Sequence, residues 1–211
     1  MTVVAFDFRG TLSDSEMKTL LGEQCGAAEE MGEIHDRARN DEITHAQSFR
    51  RRCALLEGLS HERVQAAFDR VELRPGAADL ITDLRDAGVS VAVITSGFER
   101  GVVTALEHAG VAVDAAVANR LPVTDGELSG EVEGPLVEGT KDDALEVLTT
   151  AIGDGPEDAV AVGDGGNDRP MFDVAGLAIG FDPRPDVEPA CDVVVTTMAD
   201  LADVLERESI L

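Results

Sequence analysis

Short apolar runs alternate with helix-type segments over most of this sequence. Val89–Ile94 is almost entirely β-branched and Ala159–Val162 is equally apolar, which is typical of strands buried on both faces of a parallel sheet. Further strands are predicted at Val3–Phe8, Val113–Ala118, Leu177–Gly180 and Val193–Val195. The alternation predicts an α/β fold with a Rossmann-like parallel sheet, whose ligands bind at the carboxyl ends of the strands.

Residues 15–74 depart from this alternation. Apolar residues recur there at helical spacing, as in Phe49, Cys53 and Leu56, with no strand pattern between them. We therefore predict a small helical unit at 15–74, inserted into an α/β core made of residues 1–14 and 75–211. Within the core, Leu121–Gly134 carries turn dipeptides between short alternating stretches and predicts a hairpin.

The charge of the chain restricts its partners. Forty-two acidic residues face 17 basic ones, giving a net charge of −25. Such a surface repels nucleic acid and anionic membranes, so we expect neither as a partner. No apolar run approaches the roughly 20 residues that cross a bilayer, and no secretory signal is recognisable, so we expect a cytoplasmic protein.

Two details of composition support this interpretation. Cys25, Cys53 and Cys191 are odd in number and widely spaced, and we expect reduced, buried thiols rather than a catalytic cysteine. Lys18 and Lys141 are the only lysines, and the other basic residues are arginines. Strong acidity with few lysines resembles the proteins of salt-loving organisms, whose self-repulsion is screened by counterions.

Three predicted strands end in polar loops. Asp7-Phe8-Arg9-Gly10-Thr11 lies at the end of the first strand, Thr95-Ser96-Gly97 ends the second, and Gly163-Asp164-Gly165-Gly166-Asn167-Asp168 follows a third. Lys141 lies near the start of a helix in the same half of the chain. Carboxylates, a hydroxyl and an amine at one sheet edge suit phosphate chemistry with Mg²⁺. Taken singly, each also has a local explanation: a capping Asp, a Thr that closes a strand, or a solvated Lys.

Together these loops resemble the motifs of the haloacid dehalogenase superfamily. Phe6–Leu12 is similar to its first motif, Asp-x-Asp-x-Thr, and Gly163–Asp168 to its fourth, Gly-Asp-Gly-x-Asn-Asp. Thr95-Ser96-Gly97 and Lys141 resemble the second and third. The order and spacing fit across the chain, and within the superfamily the likeness is greatest to the phosphoserine phosphatase family, which carries a helical cap after the first motif.

The resemblance implies roles for individual residues. Asp7 would be the nucleophile that forms an aspartyl phosphate, and Thr95 and Lys141 would hold the phosphoryl oxygens. Mg²⁺ would be bound by Asp7, Asp164 and the main-chain carbonyl of Arg9. The remaining positions that the resemblance marks are Asp168 in support of the metal, Asn167, Ser96 and Gly97 near the substrate, and Glu16 and Arg52 in the cap, for an amino group and a carboxylate.

Position 9 departs from the family pattern, which has Asp there. That residue protonates the leaving alkoxide and later deprotonates water, and Arg9 cannot take up the proton because its guanidinium stays charged. His45, another departure, is a weak substitute proton donor. We expect a Mg²⁺-dependent phosphatase of reduced or altered activity, monomeric or homodimeric, acting on a small phosphoserine-like metabolite. The alternatives are a slow phosphotransferase and a protein that binds phosphorylated ligands without turnover.

Overall fold

The computed structural model describes residues 2–40 and 42–211, and its centre is a six-stranded sheet in the order β3-β2-β1-β6-β7-β8 with every neighbouring pair parallel. The strands are β1 (Val3–Phe6), β2 (Ser90–Phe98), β3 (Ala115–Asn119), β6 (Val160–Gly163), β7 (Leu177–Phe181) and β8 (Val193–Val195). The predicted α/β fold with a parallel sheet is confirmed. Because β1 lies between β2 and β6, the chain changes direction across the sheet beside β1, where ligands bind in open α/β sheets.

Helices cover both faces of this sheet. Alternate strand residues explain why: Val4 and Phe6 point to one side and Val3 and Ala5 to the other, and all are buried. The core helices are α5 (Ala77–Asp86), α6 (Glu99–Ala109), α7 (Lys141–Ile152), α8 (Arg169–Val174) and α9 (Met198–Arg207). Helices α5, α6 and α9 pack on the first side, and α7 and α8 on the second.

Four helices lie between the first strand and α5. They are α1 (Met17–Cys25), α2 (Ala28–Arg39), α3 (His45–Ala54) and α4 (His61–Phe68). The two connections to the core run side by side, because the Ser13 hydroxyl donates to the Glu72 carbonyl at 2.6 Å and the Arg74 amide to the Leu12 carbonyl at 2.8 Å. We propose that residues 15–74 form the cap and that 1–14 and 75–211 form the core. We use "cap" for residues 15–74 below.

The predicted hairpin forms between β4 (Val123–Thr124) and β5 (Glu127–Leu128), and it contacts the cap. The amide of Gly58 donates to the Leu128 carbonyl at 2.9 Å, and the amide of Leu128 donates to the Leu59 carbonyl at 2.9 Å. The hairpin thus ties the connection between α3 and α4 to the core. This pairing was not predicted, because no β-type contacts were expected within residues 15–74.

Two local expectations are wrong. The second strand continues through Thr95, Ser96 and Gly97 to Phe98 instead of ending at Ile94, with a register shift against β3 between Ile94 and Phe98. Of the three cysteines only Cys53 is buried, whereas Cys25 is exposed at the last turn of α1 and Cys191 is half-buried. Within the described residues, no helix combines the length and the apolar character needed to span a bilayer.

Candidate active site

The loops after β1 and β6 meet at the carboxyl edge of the sheet. The amide of Asp7 donates to the Val162 carbonyl at 2.8 Å, which extends the β1–β6 pairing to the first residue of the loop. Gly10 has a φ of +96° and lies against the Asp164 carboxylate, so that a Cβ at this position would collide with it. Any other residue would therefore be strained and would push the two loops apart.

Three carboxylates converge at this edge. Oxygens of Asp7, Asp164 and Asp168 all lie within 4.8 Å of one another. The ammonium of Lys141, at the first turn of α7, donates to Asp7 and, at 2.5 Å, to Asp168. Lys141, Asp7 and Asp168 are buried. Three of the four sequence segments predicted to meet at one sheet edge therefore do so, the loops after β1 and β6 and the first turn of α7.

Asp168 organises the loop after β6. Its second carboxylate oxygen accepts hydrogen bonds from the amides of Asp164 at 3.0 Å and Gly165 at 2.8 Å. Gly163 leaves room for this carboxylate, since a Cβ there would lie 2.5 Å from the Asp168 Cγ. Both oxygens of Asp168 are thus engaged by the protein, and this side chain positions Lys141 and the loop.

The shared burial of these groups shifts their protonation. Burial raises the pKa of Asp7 from 3.8 to about 7, because desolvation and the nearby Asp168 outweigh the ammonium of Lys141. Burial and Asp168 likewise raise the pKa of Asp164. Burial opposes the charge on Lys141, but Asp168 and Asp7 outweigh it and raise the pKa of this amine. The site therefore holds more carboxylate charge than one ammonium neutralises.

This excess of carboxylate charge fits a divalent cation. Hard oxygen donors are the ligands that Mg²⁺ prefers, and Asp164 and Asp7 supply them at this edge of the sheet. The buried hydroxyl of Thr11 in the same loop has no hydrogen-bond partner among the described residues. The donor set thus suits the predicted Mg²⁺.

The segment Thr95-Ser96-Gly97 forms the opposite wall. Thr95 is buried, and its hydroxyl accepts a hydrogen bond from the Gly97 amide at 3.1 Å. Asn119 supports the segment: its side-chain amide donates to the Ser96 carbonyl at 3.2 Å, while its oxygen accepts from the Leu136 amide at 3.1 Å. Sequence analysis missed this role of Asn119, although its position after an apolar strand was a usable signal.

A cavity of about 620 Å³ extends from the carboxylates to the cap. Its wall includes Asp7, Thr95, Ser96, Gly97, Asp164 and Asn167 from the core and Glu16 and Arg52 from the cap. Arg52 is buried on α3, where its Nε donates to the Ser48 carbonyl at 3.3 Å. The predicted cap residues and core residues therefore face one space large enough for a small phosphorylated metabolite.

Arg9 points toward the cap instead of the buried carboxylates. Its Nε lies 3.4 Å from Oε2 of Glu16, and its side chain is 52% exposed. Lys18 approaches the other oxygen of Glu16, with its amide at 3.3 Å and its ammonium at 3.9 Å. Burial opposes ionisation of Glu16, but Lys18 and Arg9 outweigh it and lower its pKa.

Four basic residues that line the cavity were not predicted from the sequence. They are Lys18, His35, Arg39 and Arg184. The rarity of lysine could have pointed to Lys18, because the chain has only two lysines and the other one, Lys141, was predicted as a site residue. His45 lines the cavity as well, but burial and Lys18 lower its pKa and so disfavour the protonated ring. This weakens it as the substitute proton donor.

Comparisons with known proteins agree with this geometry. A family model described as haloacid dehalogenase-like hydrolase matches residues 4–173. The chain belongs to the haloacid dehalogenase-like hydrolases. The resemblance found in its motifs is confirmed.

Several relatives of this haloacid dehalogenase-like hydrolase are phosphoserine phosphatases. The phosphoserine phosphatase of Halobacterium salinarum is 51% identical over 210 residues, covering 100% of both chains. That of Methanocaldococcus jannaschii is 37% identical and covers 97% of this chain and 96% of its own. A solved substrate-bound phosphoserine phosphatase complex is 36% identical over 97% of each chain, with a TM-score of 0.85. This haloacid dehalogenase-like hydrolase is therefore phosphoserine phosphatase-like over its whole length.

Proposed function

We propose that this protein hydrolyses phosphomonoesters of small carboxylic acids, in the manner of a phosphoserine phosphatase, through an aspartyl phosphate on Asp7. The observation that carries the proposal is the convergence of Asp7, Asp164 and Asp168 within 4.8 Å beside Lys141. Phosphoserine is the first substrate to test. A cytoplasmic location and a monomeric or homodimeric state remain part of the proposal.

The first step is attack by Asp7. A carboxylate oxygen of Asp7 forms a bond to phosphorus while the bond to the ester oxygen breaks, and the electron pair stays on that oxygen. Lys141 and Thr95 hold the nonbridging oxygens of the phosphoryl group. When bound by Asp7, Asp164 and the Arg9 carbonyl, Mg²⁺ would offset the repulsion between carboxylate and phosphate.

The second step is attack by water on the aspartyl phosphate. The oxygen–phosphorus bond to Asp7 breaks, the carboxylate is restored, and inorganic phosphate leaves. The two steps together convert the ester and one water into an alcohol and phosphate. Arg9 neither delivers the proton to the departing alkoxide nor takes one from water, so solvent must do both.

The lost acid–base group makes the rate depend on the leaving group. General acid–base catalysis typically accelerates a reaction about 10²–10⁴-fold. Without it, an ester whose leaving oxygen is stable without being protonated should react fastest. Arg9 also favours a second candidate, in which the aspartyl phosphate persists and the protein acts as a slow phosphotransferase or only binds its ligand. Pre-steady-state kinetics separates these possibilities.

The test uses p-nitrophenyl phosphate with Mg²⁺ in high salt. Steady release of p-nitrophenol that Asp7→Asn abolishes supports the proposed hydrolase. Asp86→Asn is the matched control, because Asp86 is an exposed carboxylate at the end of α5 and outside the cavity. A burst of about one equivalent without steady release would indicate a trapped aspartyl phosphate. Release equal in the wild type and Asp7→Asn would refute Asp7 as the nucleophile.

A further inference from the structure

The cap side of the cleft is strongly basic in a chain of net charge −25. Of the described residues on that side, Lys18, Arg39 and Arg52 of the cap line the cavity together with Arg9 of the first loop. Glu16 is the one acidic side chain that the described part of the cap contributes to this wall. The chain has only two lysines: Lys18 lines this cavity, and Lys141 contacts Asp7, which lines it too.

Both carboxylate oxygens of Glu16 are already engaged. Arg9 lies on one, and Lys18 lies on the other with its amide and its ammonium. Lys18 is held in place, because its side chain is only 14% exposed and its ammonium lies 4.9 Å from the centre of the Phe49 ring. A ligand ammonium entering this space would therefore compete with two cations for Glu16 and would face like charge around it.

Arg52, by contrast, favours a negatively charged group of the ligand. Its guanidinium is buried, and among residues 2–40 and 42–211 no carboxylate forms a salt bridge with it. A buried guanidinium needs an anionic partner, and a ligand carboxylate matches its planar fork. The cap side thus offers a place for a carboxylate and no available place for an ammonium.

We propose that the preferred ligand is a small phosphorylated carboxylic acid without an amino group, because the Arg9–Glu16 pair closes the cap to an ammonium. This inference rests on the proposed function for the reaction at Asp7, but it concerns ligand choice alone. Arg9 then has a role in specificity: the same residue that removes the acid–base group occupies the carboxylate that would receive an amine.

The test compares two phosphonates that cannot be hydrolysed. The amino phosphonate is phosphoserine with a methylene in place of the ester oxygen, and the deamino phosphonate is the same molecule without its amino group. Isothermal titration calorimetry on the Mg²⁺-loaded wild type in about 2 M KCl gives Kd for each. We expect the deamino phosphonate to bind at least about tenfold more tightly.

Variants test whether the Arg9–Glu16 pair causes the preference for the deamino phosphonate. Arg9→Gln frees one oxygen of Glu16 and should reduce the ratio of the two Kd values to near one or reverse it. Arg51→Gln is the matched control, because it removes the same charge from an exposed residue of α3 that does not line the cavity, and the ratio should not change. Glu16→Gln should keep the preference for the deamino phosphonate.

Three outcomes would overturn the inference. These are equal or tighter binding of the amino phosphonate by the wild type, a ratio that Arg9→Gln leaves unchanged, and failure of both ligands to bind with Kd below about 1 mM. None of them depends on turnover. The proposed function is tested separately, by p-nitrophenol release and its loss in Asp7→Asn, so either proposal can fail alone.

Discussion

The ammonium of Lys141 lies 2.5 Å from a carboxylate oxygen of Asp168, and neither side chain has more than 3% of its surface exposed. The same ammonium also contacts Asp7. One buried cation therefore holds together the first turn of α7 and the loops after β1 and β6. The excess of negative charge around it explains why the site is costly to fold without a cation and well suited to bind one.

Lys141→Met should destabilise the metal-free protein more at high pH than at low pH. Breaking a buried ion pair by removing one partner costs about 3–5 kcal/mol, which lowers the melting temperature by about 5 °C or more in a chain of this size. Without the ammonium, the pKa of Asp7 rises further above that of unfolded Asp. Between these two values the native state binds more protons, so stability falls as pH rises.

The measurement is thermal unfolding with a chelator at pH about 5 and about 8. Lys141→Met/Asp168→Asn removes one carboxylate with the ammonium and should recover part of the loss. An equal loss at both pH values would contradict the charge argument and leave only a packing effect.

Arg9→Asp should raise steady-state hydrolysis of phosphoserine by about 10²-fold or more, because it restores a carboxyl group that can give and take a proton. The measurement is phosphate release with Mg²⁺. Arg51→Asp is the control for the change in charge and should match the wild type. If Arg9→Asp leaves the rate unchanged, Arg9 does not occupy the acid–base position.

Asp164→Asn should abolish the stabilisation of the protein by Mg²⁺. A ligand at about 100 times its Kd stabilises the native state by about 2.7 kcal/mol, and Asp164 is a carboxylate that lines the cavity and accepts no hydrogen bond from Lys141. The readout is the Mg²⁺-dependent shift in melting temperature, which needs no turnover. Asp86→Asn should keep the full shift, and a shift retained in Asp164→Asn would place the ion elsewhere.

The melting temperature should rise steadily as KCl increases from about 0.1 M to 2 M, because salt screens the self-repulsion of a chain with a net charge of −25. Circular dichroism at fixed pH follows it directly. A flat profile over that range would show that the acidic surface imposes no salt requirement on the fold.

Thiol labelling should distinguish the cysteines. Burial raises the pKa of Cys53 from 9.0 to about 11, so at pH about 8 this thiol stays protonated and shielded. Cys25 is exposed and should react with iodoacetamide first. Mass spectrometry of peptides reports each site, and denatured protein should label at all three. Rapid labelling of Cys53 in the native protein would mean that α3 opens readily.

The sequence predicted the sheet edge well because each strand could be recognised locally. Apolar runs predicted strands near Val3–Phe8 and Ala159–Val162, and although β1 ends at Phe6, parallel pairing brings Asp7 close to Asp164. It failed where a strand carries polar residues: β2 continues through Thr95-Ser96-Gly97 and pairs with β3 again at Phe98, after a register shift. It also missed Lys18 and the Arg9–Glu16 contact, since these depend on how α1 lies above the core and not on any local pattern.

The position of β1 between β2 and β6 has a consequence for biosynthesis. This strand is the first of the six to leave the ribosome, yet it acquires its second neighbour only after most of the chain has been translated. The amide of Asp7 and the carbonyl of Val162 meet at that late moment. A nascent chain released before β6 emerges would therefore carry Asp7 without the loop that brings Asp164 and Asp168 to it.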